Sequence, residues 1–314
     1  MSILTDTCKR VLVTCMGLLP GESVAVISDT GKKEIGSAFL SAAFELGNDA
    51  VMVVMKPRNV SGEEPPDAVA QVMRASDVVL CPTTRSLTHT RARTEATAAG
   101  ARIATMPGIT EEMFYCGGMT ADYGVVKELT AKVASLLDAA SHVRIVKEGH
   151  ELNLSLKGRK AVADTGHYLR PGEWGNLPAG EAYVAPVEGT AEGELYIDVS
   201  VAGVGKLSSP LLVSVRGGIA TDFSGGEAHR LAQILEDGEA RNVAELGIGT
   251  NPRARLTGII VEDEKAYGTI HVAFGENAGF GGKVRAGKHI DCVISKPDLY
   301  LDGQLVIRAG QFLF

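Results

Sequence analysis

The sequence predicts an α/β N-terminal domain with a mainly parallel sheet, followed by a β-rich α+β C-terminal domain that carries a metal site. In the first half of the 314 residues, short apolar runs are separated by segments with helical periodicity. After about Ser141, alternating apolar and polar residues and frequent glycines predominate. Histidines and acidic residues occupy strand positions in this second half. We therefore expect two domains, residues 1–145 and 146–314.

The first half has the pattern of helices alternating with buried strands. The expected helices are 3–18, 31–46, 66–75, 88–99 and 121–140. The expected strands are 24–27, 51–55, 78–80 and 102–104. Apolar strands separated by helices are typical of a parallel sheet with helices on both faces. No GxGxxG sequence follows the first strand, so dinucleotide binding has no support.

The second half has the period of two that is typical of antiparallel sheets. Leu195–Val199 alternates apolar and polar side chains, and turn-forming pairs are frequent. One segment, 226–236, has helical periodicity, with Ala228, Leu231 and Leu235 on one face. The turns have no fixed repeat length, which argues against a propeller or a solenoid.

Composition and charge narrow the class of protein. The net charge of -7 and the absence of a basic stripe argue against nucleic-acid binding. The five cysteines are scattered and form no CxxC pair, as is usual for reduced cytosolic proteins. The N-terminus lacks the pattern of a signal peptide, and no apolar run approaches the ~20 residues that span a bilayer. We therefore expect a cytoplasmic protein that binds neither nucleic acid nor membranes.

His289 and Asp291 are the first candidates for chemistry. Residues two apart in a strand point to the same face, so these two side chains project together while Ile290, Cys292 and Ile294 pack behind them. An imidazole beside a carboxylate suits a divalent metal. A plain hydrogen bond between His289 and Asp291 on a sheet face is the alternative.

Further candidates lie on neighbouring segments. His271 alternates with apolar residues and is flanked by small ones, which fits either a metal ligand or a core histidine. Glu181 and Glu245 stand in weakly polar surroundings, where a carboxylate is costly unless it is paired or binds metal. Glu264 belongs to the acidic run Glu262–Lys265, which is more typical of a solvated turn.

These segments together resemble the metallo-aminopeptidases of the aminopeptidase T and aminopeptidase S type. The resemblance covers residues 160–314 and the general layout of the first domain. It rests on the ordered motifs Asn176–Glu181 with Ala185-Pro186, Glu245–Gly247, Asp263–Ala266, His271–Gly275 and His289–Asp291. Two divalent metals share one site in that family, and the resemblance implies the ligands Glu181, Glu245, Glu264, His271, His289 and Asp291.

The chain departs from that family at one catalytic position. The family has a tyrosine seven residues after the histidine that matches His271, and Ala278 stands there in this sequence. Tyr267 and Tyr183 are the candidates to replace it. The hydrolytic activity is therefore less firmly implied than the metal site.

Ring-opening dioxygenases of the 2,5-dihydroxypyridine type share this scaffold and are also similar. The similarity lies in Asn251–Ala254, in Gly281–Lys283 and in chain length. Those enzymes hold one iron by two histidines and an aspartate. One of these histidines matches Glu245, while Glu181, Glu264 and His271 match positions that are not ligands.

The number of acidic groups favours the two-metal hydrolase. We expect an aminopeptidase with two zinc, cobalt or manganese ions, in which Glu245 bridges the metals and transfers the proton. Its partners would be a small peptide or amide substrate and further copies of the chain in a homo-oligomer, such as a dimer. A mononuclear iron dioxygenase and a non-catalytic metal-binding protein are the alternatives.

Overall fold

The computed structural model describes residues 2–314, and these form two compact units. One unit runs up to Lys127 and also includes Gly166–Ala179, whereas the other comprises Glu128–Thr165 and Gly180–Phe314. The expected boundary after residue 145 differs from this division. The reason is that the chain returns to the first unit over residues 166–179, so the first unit is not one continuous stretch.

The first unit is built around a parallel sheet. Its strands are β1 (Val24–Asp29), β2 (Ala50–Met55), β3 (Val78–Thr83), β4 (Arg102–Pro107) and β8 (Trp174–Asn176). Its helices are α1 (Ile3–Arg10), α2 (Lys33–Glu45), α3 (Asp67–Arg74), α4 (Arg91–Ala98) and α5 (Glu111–Tyr115), with a π-helix at Val11–Cys15. The strand order is β2-β1-β3-β4-β8, and every neighbouring pair is parallel. The predicted α/β class is therefore confirmed.

The second unit contains two antiparallel sheets. Its strands are β5 (His142–Lys147), β6 (His150–Ser155), β7 (Val162–Asp164), β9 (Glu181–Val184), β10 (Glu192–Ile197), β11 (Ser200–Val201), β12 (Gly205–Lys206), β13 (Leu211–Arg216), β14 (Ile219–Gly225), β15 (Val243–Gly249), β16 (Ile270–Gly275), β17 (His289–Ile294), β18 (Asp298–Leu301), β19 (Gln304–Arg308) and β20 (Gln311–Phe312). One sheet has the order β14-β13-β10-β6-β5-β18-β19-β20, and the other has the order β12-β11-β17-β16-β15-β9-β7. The predicted β-rich domain is therefore confirmed.

One apolar core joins the two antiparallel sheets. Leu152 and Val213 from the first sheet and Leu246, Val272 and Cys292 from the second belong to the same buried cluster. Because side chains alternate along a strand, the residues between these core positions lie on the opposite face of the second sheet. That face carries the candidate ligands that lie on strands.

Helices are few in the second unit. They are α7 (Ala228–Leu235) and α8 (Ile260–Asp263), together with most of α6 (Tyr123–Ala139), in which the division between the units falls. The apolar face of α7 buries Ala228, Leu231 and Leu235, as its periodicity predicts. None of the helices formed by residues 2–314 is both long and apolar enough to cross a membrane.

Candidate metal centre

Four adjacent strands place polar side chains on one face of the second sheet. In order across the sheet, the strands and the side chains they place there are β9 with Glu181 and Tyr183, β15 with Glu245, β16 with His271, and β17 with His289 and Asp291. Glu245 and Asp291 flank Ala273 in one cross-strand row. The strand alternation that was expected to place His289 and Asp291 on one face is therefore confirmed.

Residues without bulky side chains make room for this polar face. Gly247 on β15 pairs directly with His271 on β16. A Cβ atom built on Gly247 would lie 1.9 Å from Nε2 of His271, far inside van der Waals contact. Only glycine therefore allows the His271 imidazole to lie across β15 toward the carboxylates.

Two imidazoles and two carboxylates meet at this face. One ligand atom from each of Glu245, His271 and Asp291 lies within 4.8 Å of the others, a spacing that could hold a metal ion. Nε2 of His271 is 3.2 Å from Oε1 of Glu245. Nε2 of His289 is 3.3 Å from both Oε2 of Glu245 and Oδ1 of Asp291. Ligand atoms of Glu245, His271 and Asp291 therefore converge on one point, and His289 contacts both carboxylates.

His289 is oriented for ligation by a backbone group. Its Nδ1 lies 2.8 Å from the carbonyl oxygen of Glu276. A carbonyl only accepts hydrogen bonds, so Nδ1 carries the proton and donates it. In the neutral ring this leaves the Nε2 lone pair directed at Glu245 and Asp291. Such a partner behind the ring is the usual arrangement for a histidine that binds metal.

The acidic run Glu262–Lys265 is buried, which corrects the expectation of a solvated turn. Glu264 retains 8% of its exposed surface and Lys265 only 1%. Asp263 holds the run in place, because its carboxylate accepts hydrogen bonds from Ser200 Oγ at 2.7 Å and from the Gly258 backbone N–H at 2.9 Å. The run therefore lies inside the fold and contributes to the site.

Lys265 is the site residue that sequence reasoning missed. Its Nζ lies 2.5 Å from Oε1 of Glu181 and 2.7 Å from Oε1 of Glu264. Through Glu181, whose Oε2 is 3.3 Å from Nε2 of His271, it joins the six predicted ligands into one connected cluster. The only signal in the sequence was that one lysine follows three acidic residues in a run with apolar residues on both sides.

The charges and the burial of this cluster shift the pKa values of its members. Burial disfavours the charge of His271, but the carboxylates of Glu245 and Glu181 outweigh burial and raise the pKa of His271 to about 9. Burial is likewise outweighed at Asp291, where the His289 imidazole holds the pKa below its usual range. Burial raises the pKa of Glu181 and Glu264, and the ammonium of Lys265 opposes that shift.

The donor set fits a divalent metal ion. Imidazole nitrogens and carboxylate oxygens are ligands for iron, zinc and manganese alike. Oε2 of Glu181 is buried, faces His271 and accepts no hydrogen bond of acceptable geometry among the described residues. A buried acceptor of this kind is costly unless a cation or donor satisfies it. The site could therefore hold a divalent metal.

Metal affinity is expected to rise with pH, because metal and protons compete for the imidazoles. In the metal-free protein the pKa of His271 is about 9, so the ring is protonated near pH 7. A metal needs the neutral ring, so binding releases the proton. For each proton displaced, the Kd for zinc should fall about tenfold per pH unit below the His271 pKa. Competition with a chelator between pH 6 and pH 8 measures this slope, and a pH-independent Kd would contradict it.

The structure distinguishes the two candidate replacements for the missing tyrosine. Tyr183 lies on the polar face, and its ring packs edge-on against Phe280 with centroids 5.4 Å apart. Phe280 in turn packs against the His289 ring. Tyr267 packs against Phe312 of the other sheet instead. Of the two, Tyr183 is the one beside the candidate ligands.

Comparison with known proteins identifies a family. A profile of the family described as 2,5-dihydroxypyridine 5,6-dioxygenase (NicX) matches residues 3–314. The 2,5-dihydroxypyridine 5,6-dioxygenase of Pseudomonas putida KT2440 is 30% identical over 190 residues, or 54% of this chain. The aligned part spans about half of that relative, 53% of its length.

Two solved structures share the fold over the whole chain. The 2,5-dihydroxypyridine dioxygenase from Pseudomonas putida KT2440 has a TM-score of 0.79 at 22% identity, covering 100% of this chain and 98% of that one. Wild-type AmpT from Thermus thermophilus has a TM-score of 0.73 at 17% identity, covering 99% of both. Such identities show a common fold, and the resemblance to two enzyme groups is explained by this shared scaffold.

The expectation of a hydrolase is wrong. The family match contradicts the aminopeptidase, its metalloprotease chemistry and a role in proteolysis, and it supports the dioxygenase alternative. A hydrolase was expected because the site has more acidic groups than one metal ion needs. Lys265 neutralises part of their negative charge, at Glu181 and Glu264. Because the family profile spans nearly all of the sequence, the chain belongs to the 2,5-dihydroxypyridine 5,6-dioxygenase family.

Proposed function

We propose that this chain is an iron-dependent dioxygenase that opens the ring of a dihydroxylated pyridine with molecular oxygen. The observation that carries the proposal is the convergence of Glu245, His271 and Asp291 within 4.8 Å, next to His289, in a chain of the dioxygenase family. Bound iron would supply the oxygen binding and electron transfer of the reaction. Both atoms of oxygen would enter the product, so no reductant is consumed.

The ligand set we propose differs from the two histidines and one aspartate that the resemblance to the dioxygenases implies. His289 and Asp291 keep the two matching positions, while Glu245 stands where a histidine is expected. His271 on the adjacent strand brings a second imidazole to the same point, with its Nε2 3.2 Å from Glu245. The site thereby keeps two imidazoles, which are ligands that suit iron.

Tyr183 is proposed as a hydrogen-bond donor to the substrate. Burial, reinforced by the charge of Glu245, raises the pKa of Tyr183 well above its usual range, so the hydroxyl keeps its proton. A protonated phenol can donate a hydrogen bond to an anionic ring oxygen of a hydroxypyridine. The edge-on contacts of Phe280 with Tyr183 and His289 fix the orientation of both rings.

An oxygen-uptake assay tests the proposed function. Protein loaded with ferrous iron should consume one oxygen molecule for each 2,5-dihydroxypyridine that loses its aromatic absorbance. The same sample should be inactive without oxygen, and chelator-treated protein should be inactive in air. Iron-loaded protein that leaves a panel of dihydroxylated pyridines unchanged in air would refute the proposal, as would ring opening in the absence of oxygen.

A further inference from the structure

The ammonium group of Lys265 holds the position that a second cation would take in the cluster. Its Nζ contacts one carboxylate oxygen from β9 and one from the turn after α8, at 2.5 Å and 2.7 Å. The side chain of Lys265 is 1% exposed, so solvent does not compete for these contacts. These separations are those of charge-assisted hydrogen bonds between an ammonium group and carboxylates. Two oxygens that would bind a metal already converge on an internal cation.

Glu181 has the role of a bridge between two cation positions. Its Oε1 faces the Lys265 ammonium, and its Oε2 faces the His271 ring at 3.3 Å. In two-metal sites a carboxylate commonly spans both ions in this way. Here the ammonium group of Lys265 takes the place of one of the two cations, at Oε1 of Glu181.

We propose that Lys265 limits this chain to one divalent metal ion, bound at the end of the cluster formed by Glu245, His271, His289 and Asp291. A second ion between Glu181 and Glu264 would need the same oxygens as Nζ. It would also bring a divalent charge next to a buried ammonium, which has no solvent to screen it. The inference rests on metal binding at the proposed site and is independent of the oxygen reaction.

The number of metal ions per chain tests the inference directly. Metal-free full-length protein is titrated with zinc, and the bound metal is counted by elemental analysis after gel filtration. Wild-type protein should bind one ion per chain. Lys265→Met keeps an unbranched side chain that is one atom shorter and removes its charge, so the variant should bind two ions. Two ions in the wild type would overturn the inference, as would a folded Lys265→Met that still binds one.

Two further variants keep the test decisive if Lys265→Met folds poorly. Glu264→Gln removes a partner of Lys265 that the inference excludes from direct metal binding, so one ion per chain should remain. Loss of metal in Glu264→Gln would overturn the inference. Lys147→Met is the matched control, because Lys147 pairs with Asp198 at 3.3 Å on the other sheet, and it should also keep one ion.

These outcomes are separate from those of the oxygen assay. One zinc ion per chain together with no oxygen-dependent turnover would leave the inference standing and refute the proposed function. Two zinc ions in the wild type would overturn the inference whatever the turnover. The inference about metal number and the proposed function can therefore be refuted independently of each other.

Discussion

Replacing Asp291 with alanine is expected to lower the affinity for a divalent metal by more than about 100-fold while the fold survives. Losing a partner in the outer shell of a metal site already costs roughly 10–100-fold, and Asp291 offers a direct ligand atom. Its carboxylate also lies 3.3 Å from Nε2 of His289, so the variant removes a negative charge from the centre of the site. Chelator competition measures the affinity, and circular dichroism reports the fold.

Asp222→Ala is the matched control for this experiment. Asp222 is exposed on β14 of the other sheet, and removing its carboxylate should leave metal affinity unchanged. His289→Ala should behave like Asp291→Ala, whereas His229→Ala, on the exposed side of α7, should behave like the wild type. If Asp291→Ala bound metal as tightly as the control, the carboxylate would belong only to a hydrogen bond with His289.

The second large effect concerns stability without metal. Lys265→Met should lower the free energy of unfolding of the metal-free protein by ~3–5 kcal/mol, the usual cost of removing one partner from a buried ion pair. Glu181 and Glu264 would be left buried without their cation, and their pKa values would rise further. Urea unfolding near pH 7 in the presence of a chelator measures the difference from the wild type.

The pH dependence of the stability difference and a control ion pair, Lys147–Asp198, make this prediction specific. Near pH 5 both carboxyl groups of Lys265→Met can protonate at smaller cost, so the difference from the wild type should shrink. Lys147→Met disrupts a single ion pair whose side chains are 13% and 16% exposed, and it should cost less than Lys265→Met. A Lys265→Met protein as stable near pH 7 as Lys147→Met would show that the buried ammonium contributes little.

Local periodicity was sufficient to predict most of the fold and the sheet face on which His271, His289 and Asp291 lie. The period of two placed His289 and Asp291 on one face and Ile290 and Cys292 on the other, as the structure has them. The same rule applied to His271 because its apolar neighbours alternate regularly. Such information is local, whereas the scaffold shared with two enzyme groups was predicted from the order of several motifs.

The missed features depend on contacts between distant segments. β8 has three residues with no recognisable pattern, and it joins the parallel sheet only through pairing with β4. The burial of Lys265 depends on Glu181, more than eighty positions earlier in the chain, as the numbering shows. Without that contact the acidic run has the composition of a surface turn.

Gly247 has a consequence for how this site tolerates mutation. It carries no functional group, yet the space its missing side chain leaves is filled by the ring of His271. In a saturation library scored for metal retention, position 247 should therefore be as intolerant as a ligand position, with even alanine rejected. Intolerance at position 247 on β15 would therefore report where the His271 ring lies, although Gly247 itself does not contact the ion.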